Sequence, residues 1–312
     1  MGDPSIQDLT ISEIDEYELK SEIHGKAPSA DSLLATELNK LTFRERESIN
    51  DEIHGINIDR KYIEKSGAIE ETPELLSRSL DEMQAELDRL CLAEGGLGGS
   101  AYAFQRSQDL YGSSPEDTYF NTSDFRLMFI RCECFDCKKA AIRLCKFADL
   151  YLEVFGDFAL QRPVRLSDLE ESEVAMIKNG YSCPFSKRDR AGRRIYVHFA
   201  KDYSECHTIQ WRLRVPAYLL MNMVAHDVEC QKKGLVAVMW MHKLTRQDVH
   251  DFIKRGYCQA RHLAALPVKI GAGHYCFPSI HNAKDIAFSH LVQKLLAITK
   301  LLPHVRVHSG KF

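Results

Sequence analysis

Along the 312-residue chain the spacing of apolar positions changes several times, and each change marks an element. Residues 1–32 are acidic, poor in aromatic side chains and without period, the composition of a tail with no fixed fold. Residues 32–57 are rich in helix formers. A stronger helix starts at Thr72-Pro73, an N-cap followed by proline at the first helical position. Its Leu76, Leu80, Met83, Leu87 and Leu90 repeat at spacings of 4, 3, 4 and 3. Gly95-Gly96 and Gly98-Gly99-Ser100 end that helix and form a linker.

Beyond the linker the pattern alternates. Residues 125–131 and 138–155 have helical spacing, the second through Ala141, Leu144, Cys145, Ala148, Tyr151 and Leu152. A turn-rich stretch follows at 183–192, and then RIYVHFA (194–200), whose β-branched and aromatic residues alternate as in a strand. Residues 211–231 read as a helix. LVAVMWM (235–241) is a short continuous apolar run of the kind a buried parallel strand shows. Residues 245–263 form a helix opened by a Thr245–Asp248 capping box, 269–277 a strand, 283–302 a helix and 305–308 a last strand. This β-α-β-α-β-α-β order predicts an α/β fold with a mostly parallel sheet and flanking helices, preceded by a small helical lobe and an acidic N-terminal extension.

Charge divides the chain in the same place. Residues 1–117 hold 26 acidic and 11 basic side chains, and residues 118–312 hold 18 and 30, so a net −15 meets a net +12 behind an overall charge of −3. A basic half favours an anionic partner, phospholipid or nucleic acid. The ten cysteines are scattered with no secretory leader before them, and no run approaches the roughly 18 apolar residues of a membrane span. A cytoplasmic protein is expected.

The candidate chemistry is thin. Cys132-x-Cys134-x-x-Cys137, with Cys145 beyond, has no second cysteine or histidine pair in zinc-knuckle spacing, so packing is expected rather than metal. There is no G-x-S-x-G, no H-E-x-x-H and no Cys–His signature, and GGLGGS lacks the Gly-Lys-Ser/Thr of a phosphate loop. His226-Asp227 and Glu205-x-His207 carry no recognisable arrangement. No catalytic residue, metal or cofactor is expected.

A longer constellation is more specific. The segment FIRCECFDCKKAA (129–141) resembles the "FLRAR-x-FD-xx-KAA" stretch in the helical lobe of the CRAL-TRIO lipid-binding family, and RDRAGRRIY (188–196) resembles that family's "RD-x-x-GRP-V" turn into its first strand. LPVK (266–269) with the residues through Pro278 resembles the "YPxR…I…N-x-P" strand, and 283–303 followed by 305–310 falls where the family has its gate helix and following strand. The likeness covers 125–310 and leaves 1–120 outside. Two departures stand out. Cys276-Phe277-Pro278 replaces N-x-P, and Val268 replaces the acidic residue with which some members hold inositol, which argues against phosphatidylinositol. The sequence given ends at Phe312, before the further helix the family usually has.

Composition and spacing mark a disordered acidic tail (1–32) and an acidic helical region with a Gly-rich linker (33–117), and the resemblance implies the helical lobe (118–180) and the lipid-binding domain (181–312). It implies an apolar pocket holding one hydrophobic lipid as ligand, lined by Val197, Phe199, Val236, Val238, Trp240, Tyr275, Phe277 and, from the gate helix, Leu291, Leu295 and Ile298. Lys294, Lys300 and Arg306 would meet headgroups at an anionic membrane surface. Peripheral membrane association and lipid transfer or sensing are the expectation. The competing readings are a protein-interaction scaffold, with partners recruited by 33–93, and nucleic-acid binding by the basic half. The latter lacks interleaved aromatic and basic side chains.

Overall fold

A computed structural model describes residues 30–66, 70–93, 101–110, 118–200, 209–241, 261–277 and 305–309. The predicted tail (1–32) and helix 283–302 therefore lie almost wholly or wholly outside the described residues.

The helix-forming run at 32–57 divides into α1 (Ala30–Asn39) and α2 (Phe43–His54). Thr42 causes the break. Its hydroxyl accepts from the Glu45 amide at 3.3 Å while the Glu45 carboxylate accepts from the Thr42 amide at 2.7 Å, a reciprocal cap that starts a new helix. Gly55 ends α2 in the left-handed region at φ 64°. Next come α3 (Ile58–Ser66), α4 (Pro73–Ala93), started by Thr72 as expected, and α5 (Tyr102–Asp109), a helix the apolar pattern did not reveal.

The helical lobe is built on α6 (Ser123–Cys132) and α7 (Cys137–Phe155). Phe120, Phe125, Phe129 and Phe147 meet edge-on or tilted, and Phe147 stacks on Tyr151 with ring centroids 4.0 Å apart. The short helices α8 (Phe158–Gln161) and α9 (Glu171–Lys178) lead into the sheet.

The sheet has five strands in chain order: β1 (Ser182–Arg188), β2 (Arg194–Ala200), β3 (Leu235–Met241), β4 (Ile270–Phe277) and β5 (Val305–Ser309). β1 pairs antiparallel with β2, and the remaining neighbours are parallel. β1 occupies much of the stretch read as turns. It is an edge strand containing Pro184, mostly exposed, and so carries no apolar alternation. Between β2 and β3 the single expected helix is two, α10 (Ile209–Ala225) and α11 (Val228–Lys233). Asp227 makes the break by accepting from the Cys230 amide at 3.0 Å, and it also binds Arg188 and Arg194 at 2.6 and 2.7 Å. The His226-Asp227 pair is thus a helix junction.

Alternation gives the sheet two unlike faces. One face sends Tyr196, Leu235, Ala237, Met239, Tyr275 and Val305 into a core shared with α4, α6, α7 and α10, so lobe and sheet have a single interior. The other face carries Ile195, Val236, Val238 and Ala272, packed against Ile49 and Ile53 of α2. The acidic region therefore folds back on the basic half. Glu71 binds Arg131 and Lys232 at 2.9 and 3.0 Å, and Asp59 binds Lys233 at 2.9 Å.

Candidate functional site

The sheet face turned away from the core carries the most distinctive surface. Register places Val197 beside Val238 and Phe199 beside Trp240, with Val236 one step back along β3. Val236 is buried, Val197, Val238 and Trp240 are half-buried, and Phe199 is 38% exposed. These five are the part of the expected pocket lining that the structure brings together on one stripe. Tyr275 is separated from them: it lies opposite Met239 and points into the core, 4% exposed. The irregular register between Leu235 and Val236, where β4 inserts Gly271, moves Tyr275 to that side. The side chains of Phe277, Leu291, Leu295, Ile298, Lys294 and Lys300 lie outside the described residues.

On β5, Arg306 sits opposite His274 and His308 opposite Cys276, on the same face as the apolar stripe. Arg306 is half-buried, and burial holds its pKa below the usual guanidinium value. The His274 and His308 rings stack, and His274 Nδ1 and His308 Nε2 are 2.9 Å apart, so one nitrogen donates and the other must be unprotonated to accept. Burial, then the charges of His308, Arg193, Arg306 and His54, hold the His274 imidazole below its ordinary value of 6.5.

The other end of the stripe is covered by α2, and the cover is anchored by arginines. Arg193, 1% exposed, donates to the Glu52 carbonyl at 2.5 Å and the Ile53 carbonyl at 3.4 Å, while Asp189 accepts from its Nε at 2.8 Å. Arg190 donates to the His54 carbonyl at 2.6 Å. Cations here meet the negative end of the helix and the carbonyls of its last turn. The backbone is cut to fit: a Cβ on Gly271 would lie 2.7 Å from Arg193 Nη1. This seat was missed in the sequence. Its signal was Ile49 and Ile53, four apart in the mostly polar FRERESINDEIH.

The cysteines of this cluster are buried or hydrogen-bonded. Cys132 and Cys145 are buried, and burial pushes the Cys132 thiol up to about 11. Cys137 hydrogen-bonds to the Ser79 carbonyl at 3.4 Å, and burial, helped by Glu82, also raises it to about 11. Cys134, in a left-handed turn at φ 52°, accepts from Lys269 at 3.0 Å. Among the described residues no three His, Cys, Asp or Glu side chains gather as a metal site, and no helix is long and apolar enough to cross a membrane.

The geometry defines the class only coarsely, as a mixed α/β protein with a mostly parallel five-stranded sheet and flanking helices. No protein-family model matches the chain, and no curated protein matches it.

Proposed function

We propose that this chain is a lipid-binding protein of the CRAL-TRIO type, which takes one hydrophobic lipid against the outer face of its sheet and carries or presents it at anionic membranes. The observation that supports the reading is the stripe Val197, Phe199, Val238 and Trp240: four large apolar side chains, incompletely covered, on the sheet face opposite the core. A soluble domain rarely leaves such a row on a sheet unless something covers it. Each acyl methylene buried there gains about 0.8 kcal/mol, so an apolar groove competes with a bilayer without covalent chemistry. Lys294, Lys300 and Arg306 are assigned to headgroups, and no catalytic residue, metal or cofactor enters the reading. The Val268 departure directs the search toward ligands other than phosphatidylinositol.

A second reading has one observation in its favour. The seat of α2 on this face demonstrates that the sheet accepts a helix, as a protein-interaction scaffold would. Organic extraction of the purified chain, followed by lipid identification, separates the two: a stoichiometric lipid supports carriage, and a lipid-free protein whose stripe binds a helical peptide supports the scaffold.

A further inference from the structure

We infer that α2 is a displaceable cover on the outer face of the sheet, held where an anionic lipid headgroup competes for the same arginines. The inference rests on the lipid-binding reading for what the uncovered face receives, but the release of α2 is independent of it.

The part of the face under α2 and the part beyond it are continuous. Ile53, 4% exposed, and Ile49 lie over Ile195, Val236, Val238 and Ala272, and the same strands run on to Val197, Phe199 and Trp240. Removing α2 therefore lengthens one apolar stripe and exposes no second core.

α2 is also weakly bound for a helix of twelve residues. Ile53 is its one buried side chain, Phe43 at its start is 75% exposed, and most of its other side chains are charged. By contrast α7 buries eleven side chains in the shared core. Elements with few buried apolar contacts open locally at far lower cost than the fold as a whole.

The anchor supplies the selectivity. Arg193 and Arg190 donate to the carbonyls of Glu52, Ile53 and His54, a helix end worth roughly half a negative charge. A lipid phosphate carries at least one full charge and accepts the same guanidinium donors in stronger, charge-assisted bonds. An anionic headgroup thus replaces the helix end, and its acyl chain enters the stripe that α2 leaves.

Hydrogen exchange on the full chain tests this, read at the α2 and α7 amides in buffer, with phosphatidylcholine vesicles, with vesicles also containing phosphatidic acid, and with inorganic phosphate. Phosphatidic acid vesicles are expected to accelerate α2 exchange about tenfold or more and leave α7 unchanged, with no effect of phosphatidylcholine alone. Acceleration by inorganic phosphate as well supports the same competition with a free anion as its agent. The inference is overturned if α2 and α7 exchange together in every condition, or if phosphatidic acid vesicles leave α2 unchanged. Ile53→Ala provides an independent reading, because it must speed α2 exchange in buffer while α7 keeps its rate; equal slowing or speeding of both refutes a separable cover. If α2 is released yet no lipid is ever recovered from the protein, the cover stands and the lipid-carrier reading fails.

Discussion

The α2 seat makes a quantitative prediction about Arg193→Ala and Ile53→Asp. Arg193 is 1% exposed and binds Asp189, Glu52 and Ile53. Were α2 fixed in place, deleting such a buried charged partner would cost about 3–5 kcal/mol. A carboxylate at position 53, buried and unpaired, would cost at least as much. A separable α2 sets a lower ceiling, because the protein loses no more than the docking free energy of that helix. One buried and one half-buried isoleucine bring about 3 kcal/mol before the entropy of ordering the helix is deducted. Each variant should therefore lose about 2 kcal/mol, and the double variant should lose about 2 rather than 4, a coupling near −2 kcal/mol. Urea denaturation followed by circular dichroism measures all four corners of the cycle. Additivity within about 0.5 kcal/mol would show that the two residues do not share one removable element, and the reasoning would be wrong.

Three further outcomes are expected. Phe199→Asp, at an exposed edge of the stripe, should remove bound lipid at a stability cost of about 1 kcal/mol or less, whereas Tyr275→Ala, in the core, should cost about 3–5 kcal/mol; reversed stabilities would invert the assignment of faces. Because folding lowers the His274 pKa, the unfolded chain binds the extra proton first. Stability is whole above the ordinary imidazole value of 6.5 and falls as pH drops below it, a slope that His274→Asn should flatten in urea midpoints measured from pH 7.5 to 5.5. Binding to anionic vesicles should weaken as salt rises, and Lys294→Glu with Lys300→Glu should abolish transfer with the melting temperature unmoved; Arg306, being half-buried, is left out of that pair.

The sequence carried the parallel strands well because each has its own local signature. The bounds of β2 and β3 coincide with RIYVHFA, where β-branched and aromatic residues alternate, and LVAVMWM, where the apolar run is unbroken. Features set by distant partners were not legible. β1 exists by pairing with β2 and has no apolar period of its own. The breaks at Thr42 and Asp227 depend on side chains capping backbone, which composition does not distinguish from polar residues within a helix. Tyr275 was grouped with Val197 and Trp240 because all are apolar strand residues, yet its face depends on where β4 slips past β3, and a single extra residue reverses it. The charge split suggested an anionic partner for the basic half, phospholipid or nucleic acid, and only the fold reveals that the end of an acidic-region helix sits on Arg193.

The central claim, a lipid held on the outer face of the sheet, is tested most directly by native mass spectrometry of the purified chain beside its Val238→Asp variant. The account predicts one lipid mass per chain in the wild type, absent in a variant that still unfolds cooperatively. A wild-type chain that carries no lipid after exposure to mixed vesicles, or a variant that carries it equally, would contradict the claim.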